Sequence, residues 1–389
     1  MIGAFEFATA GRVLFGSGRL RELGGLARGL GARALLVRGA SARAASRGET
    51  LQRLLDEGGI AWVTCTVSGE PAVEDARRAA SRARAERCDL VVACGGGAVL
   101  DLGKATAALL ANPGDPLDYL EVIGAGRPLE RPSAPVLAIP TTAGTGSEVT
   151  RNAVLGSPDQ RVKASMRSPW MLPRVALVDP ELTLDLPPAW TASTGMDALT
   201  QVLEPFLSRR AQPLTDALCR DGLARASRSL RRAFSHGRDL EAREDMALVS
   251  VFGGMALANA GLGVVHGFAA PLGGALGAPH GTLCAALLPH AAAVNLRALR
   301  SREPENPALP RFEEAARILT GSPTASADDG VRWLGELVRD LEIPGLGALG
   351  LAPEDFAEVA RRAREASSFK ANPVALDDDD LLEILQRAL

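Results

Sequence analysis

A stretch of 51 residues, from Met246 to Leu296, contains no Asp, Glu, Lys or Arg. Its apolar side chains gain free energy by leaving water, so a segment of this length and composition has to be buried. It also contains three histidines, two asparagines and three prolines, and it lacks aromatic belts and a basic bias at its ends. We therefore expect the core of a folded domain rather than a membrane span.

Two histidines of this stretch have the surroundings of metal ligands. His266 and His280 are each followed by glycine, which indicates close backbone approach. A buried polar group without a partner costs roughly 1–3 kcal/mol, so each imidazole either hydrogen-bonds the backbone or binds something. In GMDALTQ, Asp197 and Gln201 are four residues apart and project from one face of a predicted helix. An acid and two imidazoles are the smallest protein set for a divalent first-row metal with an open position.

The bulk properties are those of an ordinary globular protein. Its 389 residues, 47% hydrophobic and 23% charged, suffice for two domains, and a net charge of −3 gives no reason to expect nucleic acid or membrane as partner. Five scattered cysteines, at positions 65, 88, 94, 219 and 284, favour a reducing compartment and argue against disulfides or a thiolate zinc site. The first residues lack the pattern of a signal peptide, so we expect a cytoplasmic protein.

Strand-like and helix-like segments alternate in the first half of the chain. We predict strands at 33–37, 61–67, 89–94 and 135–140, and helices at 48–59, 71–86 and 99–111. This alternation predicts a parallel sheet with right-handed crossovers. Helical patterns then continue to the end, interrupted by a predicted polar loop at 301–310. The predicted fold class is an α/β N-terminal domain with a parallel sheet, residues 1–186, followed by an all-α C-terminal domain, residues 187–389.

Two turns after predicted strands have the chemistry of a nucleotide site. CGGGAVLDLGKA (94–105) opens a helix with three glycines, where free N–H groups and the helix dipole favour a phosphate. It matches neither the Walker pattern nor the dinucleotide fingerprint GxGxxG. PTTAGTGSEVT (140–150) carries five hydroxyl residues that can hydrogen-bond a ribose or a nicotinamide.

The motifs GGGAVLD-x-x-K, PTTAGTGSE, VDPEL, TGMDAL and HG…PHG, in this order, resemble the iron-containing (group III) alcohol dehydrogenase family over essentially the whole chain. The resemblance implies a dinucleotide-binding N-terminal domain, a helical domain holding iron or zinc, catalysis in the cleft between them, and a homo-oligomer (dimer or larger). It implies metal ligation by Asp197, His266 and His280. It implies cofactor binding by Gly96, Gly97, Ala98, Asp101, Thr141, Thr142, Thr145, Ser147 and Lys163. Asp101 and Lys163 would be the catalytic residues, near the nicotinamide and the ribose.

Two departures from the family pattern bear on the metal. Histidines of the family are replaced here by Gln201 and Ala270. An amide oxygen is a weaker ligand than imidazole, so Gln201 is either a poor fourth ligand or a sign that hydrogen bonds have replaced the metal. Ala270 removes a proton carrier, which leaves the cofactor ribose with Lys163, or water, to deliver the proton. Ala270 and Phe268 also predict a more apolar substrate pocket.

A third departure concerns the choice of cofactor. The strand 33–37 is followed by Gly39 where NAD-using members carry an acid, and Ser41 and Arg43 could bind a 2′-phosphate. We therefore expect a preference for NADP(H) over NAD(H).

The sequence is most consistent with an NADP(H)-dependent alcohol dehydrogenase acting as an aldehyde or ketone reductase on a small molecule. One alternative is a dehydroquinate synthase-like lyase or cyclase, which shares the architecture. The other is a cofactor-binding protein with a decayed metal site, for which Gln201 and Ala270 are the sequence argument.

Overall fold

A computed structural model describes residues 3–157 and 162–389. They divide into an α/β unit, Ala8–Thr142 with Gly146–Thr183, and a helical unit, Leu184–Leu389 with Ala143–Thr145 and the described residues up to Phe7. The predicted fold class is confirmed. The border lies between residues 183 and 184 rather than 186 and 187, and the two short segments that group with the helical unit carry no pattern that would have assigned them.

The α/β unit contains the strands and the shorter helices. The strands are β1 (Val13–Phe15), β2 (Arg33–Gly39), β3 (Ala61–Val67), β4 (Leu90–Gly95), β5 (Val136–Pro140), β6 (Asn152–Ser157), β7 (Val162–Arg167) and β8 (Val175–Val178). The helices are α1 (Leu23–Arg28), α2 (Ala42–Glu57), α3 (Val73–Ala85), α4 (Gly97–Ala111) and α5 (Pro116–Tyr119).

Six of these strands form one parallel sheet in the order β1-β8-β5-β4-β2-β3, and β6 and β7 pair separately as an antiparallel hairpin. Every residue of β4 and β5 is buried, as expected for parallel strands covered on both faces. In β2, Leu35 and Val37 enter one hydrophobic core, together with side chains of α3 and α4. Ala34 and Leu36 point the other way and enter a second core with α1 and α2. The period of two along the strand thus builds both layers of the unit.

The strand order creates a crevice at one end of this sheet. β2 connects to β3 on one side, whereas its neighbour β4 connects to β5 on the other side. Adjacent strands whose connections lead in opposite directions leave a gap beyond their carboxyl ends, and open α/β sheets bind ligands there. Gly39 ends β2 and Gly96 follows β4, so the predicted cofactor residues lie at this switch point.

The helical unit contains α6 (Pro188–Leu207), α7 (Pro213–Ser235), α8 (Leu240–Ala260), α9 (Val264–Leu276), α10 (His280–Arg302), α11 (Ala308–Thr320), α12 (Ala327–Asp340), α13 (Phe356–Glu365) and α14 (Asp378–Ala388). The uncharged stretch forms most of α8, all of α9 and most of α10. Helix α10 is long and apolar enough to span a membrane, and 83% of its most apolar window is buried in the protein. Burial of that kind is typical of the core helix of a soluble protein.

The observed elements differ from the predicted ones in several places, and the short helices α1 and α5 carry no pattern that predicted them. Helix α2 begins at Ala42 instead of residue 48, because the Ser41 hydroxyl accepts a hydrogen bond from the Ala44 amide and caps it. Strands β1 and β8 have three and four residues, too short for a recognisable pattern, and the hairpin β6–β7 was also missed. The predicted loop at 301–310 is shorter, since α11 begins at Ala308, whose amide donates to Asn306 Oδ1.

Candidate functional site

Three helices of the helical unit bring an acid, two imidazoles and a thiol together. Asp197 lies on α6, His266 near the start of α9, and His280 and Cys284 one turn apart on α10. One ligand atom from each of the four residues lies within 4.8 Å of the others. His266 Nε2 is 3.3 Å and His280 Nε2 is 3.7 Å from Asp197 Oδ1. The three residues predicted as metal ligands thus meet at one point.

The close backbone approach predicted from the two His-Gly pairs is confirmed at Gly281, whereas at Gly267 the close neighbour is a side chain. A Cβ added to Gly281 would lie 2.2 Å from the backbone oxygen of Ser193, so the start of α10 can approach α6 only without a side chain there. A Cβ at Gly267 would lie 3.2 Å from the Phe369 Cβ, which is also tight. Backbone approach at Gly281 therefore sets the spacing between the ligands of α6 and α10.

Glu204 orients His266 from behind the cluster. Its Oε2 accepts a hydrogen bond of 2.7 Å from His266 Nδ1, and its Oε1 accepts one of 2.8 Å from the Val265 amide. Because a carboxylate can only accept, Nδ1 carries a proton, and Nε2 faces Asp197 with a second proton or, when a metal is bound, with its lone pair. This acid behind a histidine is the usual outer partner of a metal-binding imidazole.

The ionisable groups of the cluster strongly influence one another. Burial acts to lower the pKa of His280, but Cys284 and Asp197 raise it to about 9. Burial also opposes protonation of His266, yet Cys284, Asp197 and Glu204 hold its pKa well above the ordinary value. For Cys284, burial acts to raise the pKa, and the charges of the two imidazoles outweigh it and lower the pKa. For Asp197, burial acts to raise the pKa, but the charges of the two imidazoles and hydrogen bonds from His266 and Gln201 lower it. The cluster therefore favours a positive charge at its centre.

The donor set fits a divalent metal. Asp197 is 2% exposed, and in the described part of the chain its ion pairs are with imidazoles and with no Lys or Arg. A buried carboxylate needs a cation beside it, which is either a proton on an imidazole or a metal bound through the lone pairs of the two rings. Asp197, His266 and His280 would hold that metal, and such a site keeps a position open for a substrate.

Gln201 hydrogen-bonds Asp197 but does not offer the cluster a nitrogen donor, as a histidine at this position would. Its side-chain hydrogen bond to Asp197 helps to lower the pKa of that acid. Its Oε1 is buried and has no hydrogen-bond partner among the described residues. An unpaired amide oxygen beside a ligand cluster is compatible with weak coordination, and ligation by Gln201 stays a prediction.

Sequence reasoning missed two residues of this site. Glu204 lies seven residues after Asp197 and Cys284 lies four residues after His280, so both share a helix face with a predicted ligand. The lack of closely spaced cysteine pairs argues against a site built of several thiolates. It does not exclude a single thiol such as that of Cys284 beside other ligand residues. The prediction that Phe268 lines an apolar substrate pocket is wrong, because this side chain is fully buried in the core of the helical unit.

In the α/β unit, the predicted phosphate-binding residues open α4. Gly96 caps the helix, and Gly97 and Ala98 form its first turn, partly exposed at the crevice. The first amides of a helix lack partners within it and can bind an anion. A Cβ at Gly96 would lie 3.4 Å from the Thr142 side chain, which places Thr142 beside this turn. Thr141 directly follows β5, and Thr145 falls in the segment that groups with the helical unit.

The two predicted catalytic residues have different surroundings. Asp101 accepts hydrogen bonds from Ser147 Oγ at 2.5 Å and from the Val154 amide at 2.9 Å, so both carboxylate oxygens anchor neighbouring segments. Lys163, on β7, lies with its Nζ 3.6 Å from Glu70 Oε2. Catalysis by either residue stays a prediction.

The end of β2 carries the residues from which a preference for NADP(H) is predicted, and that preference stays a prediction. Gly39 brings no charge, and the Ser41 oxygen caps α2, which leaves its hydroxyl proton free to be donated. Arg43 is exposed in the first turn of α2.

Comparison with known proteins agrees with this geometry. Residues 10–180 match the model of the iron-containing alcohol dehydrogenases, and residues 191–389 match that of the C-terminal domain of the same family. A 1,3-propanediol dehydrogenase of Klebsiella pneumoniae is 35% identical, and the alignment covers 99% of this chain and 98% of the relative.

Solved structures give the same result. A 1,3-propanediol oxidoreductase superposes with a TM-score of 0.92 at 33% identity and covers 100% of both chains. A sulfoacetaldehyde reductase of Bifidobacterium kashiwanohense, solved with NAD⁺, superposes with a TM-score of 0.85 at 31% identity and covers 99% of both. The protein is accordingly a nicotinamide-dependent oxidoreductase acting on CH–OH groups, and the chain belongs to the iron-containing alcohol dehydrogenase family.

Proposed function

We propose that the protein is an NADP(H)-dependent alcohol dehydrogenase that acts mainly as a reductase of small aldehydes or ketones. The cluster of Asp197, His266 and His280, in a chain of this family, is the observation that carries the proposal. A divalent metal, when bound, supplies a Lewis acid that stabilises negative charge on the substrate oxygen. The reduced nicotinamide supplies the hydride.

The protein's own residues hold and orient the reacting groups. Asp197 contributes the negative charge that retains the cation, and His266 and His280 contribute neutral nitrogen donors. Glu204 holds the proton of His266 on Nδ1, so that Nε2 faces the cluster. The product alcohol needs a proton that Ala270 cannot supply. Lys163 and the cofactor ribose, or water, are its proposed source.

The preference for NADP(H) is supported by the end of β2. An aspartate at position 39 would repel a 2′-phosphate, and glycine does not. Ser41 and Arg43 offer a hydroxyl and a guanidinium at the start of α2, where the helix dipole also favours an anion.

The proposed substrate is a small carbonyl compound or alcohol. Relatives 35% identical are named for 1,3-propanediol, so 1,3-propanediol and its aldehyde are the first compounds to test. We further propose a homo-oligomer in the cytoplasm, with neither nucleic acid nor membrane as partner, in keeping with a net charge of −3. Gln201 and Ala270 are the sequence argument for a binding protein with a decayed metal site, but the convergence of Asp197, His266 and His280 favours an intact one, and no observation on the described residues favours a lyase.

The test is steady-state kinetics with NADPH and NADH on a panel of aldehydes and alcohols that includes 1,3-propanediol. We expect kcat/KM to favour NADPH by about tenfold or more, and Gly39→Asp to reverse the order. Arg43→Gln should lower kcat/KM for NADPH by about tenfold or more, since hydrogen bonds to charged groups contribute about 1.5–3 kcal/mol.

Arg53→Gln is the matched control, because Arg53 is an exposed arginine on the same helix, paired with Glu57. Arg53→Gln should change neither the preference for NADPH over NADH nor kcat/KM with NADPH. A preference for NADH in the wild type would overturn the cofactor assignment, and the absence of turnover with every carbonyl and alcohol would overturn the proposed function.

A further inference from the structure

The thiol of Cys284 occupies a position in the metal-ligand cluster that the resemblance to the family does not assign. Cys284 is fully buried, and its Sγ lies 3.6 Å from His280 Nε2. It belongs to the same group of ligand atoms as Asp197, His266 and His280. A buried cysteine is usually a small apolar side chain, so its geometry has to decide between packing and coordination.

Three of the six separations between these atoms are close to the edges of a coordination tetrahedron, and all six are within 4.8 Å. Bonds of about 2.0–2.1 Å to nitrogen or oxygen and about 2.3 Å to sulfur place tetrahedral ligands roughly 3.3–3.6 Å apart. The separations are 3.3 and 3.7 Å from Asp197 Oδ1 to the two imidazoles and 3.6 Å from His280 Nε2 to Cys284 Sγ. The separations of 3.3 and 3.6 Å are also those of hydrogen bonds, whereas the 3.7 Å between Asp197 Oδ1 and His280 Nε2 is too long for one, so hydrogen bonding explains only part of the arrangement.

Gln201 leaves a place for a further donor. It stands where the family has a histidine, its amide hydrogen-bonds Asp197, and its buried Oε1 has no partner among the described residues. A thiolate is a far better ligand for a first-row metal than an amide oxygen. Gln201 can therefore brace Asp197 while the thiol supplies the missing donor.

We propose that Cys284 is the fourth protein ligand of the metal, in place of residue 201, and that this donor set selects zinc over ferrous iron. The softer thiolate and the order of divalent affinities both favour zinc. Zinc with four protein ligands can expand to five-coordinate and still accept a substrate oxygen. The inference rests on the metal site of the proposed function and names the ligand and the metal of that site.

The direct test is X-ray absorption at the zinc edge on wild-type protein that was chelator-treated and reloaded with zinc. We expect a sulfur shell at about 2.3 Å besides nitrogen and oxygen. Loading with Co²⁺ should give a near-ultraviolet sulfur-to-cobalt charge-transfer band. Both signals come from the wild-type protein and do not depend on a variant that folds.

Substitutions then identify the sulfur. Cys284→Ser should abolish the band and lower zinc affinity by more than the roughly 10- to 100-fold cost of losing an outer partner. Cys219→Ser is the matched control: Cys219 is equally buried on α7, but its charged neighbours are Asp216, Arg220 and Arg311. It should leave the band, the affinity and the zinc preference over iron in an anaerobic competition unchanged.

Failure of this inference differs from failure of the proposed function. A wild-type protein that reduces carbonyls but shows only nitrogen and oxygen around the metal, or that takes up no metal, overturns the thiolate ligand alone. A sulfur shell in a protein without any carbonyl turnover upholds the ligand and overturns the proposed function. Preferential loading with iron overturns the selectivity.

Discussion

Each unit of the chain buries a cluster of charged side chains, and the two clusters balance their charge differently. In the α/β unit, Lys104 is 1% exposed; its Nζ donates to the Ser147 carbonyl at 2.9 Å and to Thr150 Oγ1 at 3.0 Å, and lies 3.3 Å from Asp101. In the helical unit, Asp197 faces two imidazoles and a thiol.

The two clusters differ in where the cation beside the buried acid comes from. The amino group of Lys104 is part of the chain, so its cluster already contains its cation and needs none from solution. The cluster around Asp197 must take its cation from solution, as a proton or a metal, so the same electrostatic demand becomes an affinity for a ligand. Substitutions in the two clusters should therefore have different consequences, and four predictions test this.

The largest effect is expected at Asp197. Asp197→Asn keeps the shape of the side chain and removes its charge, so the protein should lose its metal and roughly 10³-fold or more in kcat/KM, which corresponds to several kcal/mol of transition-state stabilisation. Metal content and kinetics measure this, with circular dichroism as a check on the fold. Asp245→Asn is the control, because Asp245 is also buried but pairs with Arg225 and Arg228, and it should keep the metal. Full metal content in the Asp197→Asn protein would contradict the prediction that the charge of Asp197 retains the metal.

The next effect is expected at Lys104 and should be on stability and not on the metal site. Lys104→Met leaves the carboxylate of Asp101 without its cation, which costs about 3–5 kcal/mol for a broken buried pair. Thermal unfolding should show a lowered Tm, whereas the folded variant should bind metal as the wild type does. Unchanged Tm, or loss of metal, would contradict the prediction.

Glu204→Gln should weaken the metal site by a smaller factor. The amide oxygen can still accept from the Val265 amide, but its NH₂ group then faces His266 Nδ1 and favours the other tautomer. Metal affinity, measured by competition with a chromogenic chelator, should fall about 10- to 100-fold. Glu314→Gln serves as control, because Glu314 is a half-buried acid that pairs with Arg220 away from the cluster. Equal affinities of the wild type and the Glu204 variant would show that Glu204 does not orient the ring.

The smallest effect is a pH dependence in the α/β unit. Burial raises the pKa of Glu148 from its ordinary 4.5 to about 7, although its own backbone and Lys104 act to lower it. The folded protein therefore retains a proton that the unfolded chain releases, and this contribution to stability, complete below about pH 4.5, is lost as the pH rises through about 7. Glu148→Gln imitates the protonated form and lacks this loss. Its Tm relative to the wild type should rise by a few °C between about pH 5 and pH 8, and a constant difference would refute the assignment.

The parts that could be predicted from the sequence are those with a local pattern. The apolar runs of β4 and β5 and the separation of four residues between Asp197 and Gln201 gave the sheet and one face of α6. Glu204 and Cys284 follow the same helical spacing, but an acid in a helix and a cysteine in an apolar run are common without any function. Only the convergence of α6, α9 and α10 distinguishes them, and convergence depends on contacts such as Gly281 against Ser193 that no periodicity records.

The ligands of the cluster are widely spaced along the chain, and this bears on its biosynthesis. Asp197 and Cys284 are 87 residues apart (284 − 197). At about 5–20 residues per second, the ribosome adds Cys284 roughly 4–17 s after Asp197. Before His266 and His280 have been added, Asp197 on α6 has no imidazole partner, and a metal has no more reason to stay there than at any other carboxylate. Stable metal capture therefore marks chains whose central helices are complete, and a chain truncated before α10 should emerge without metal.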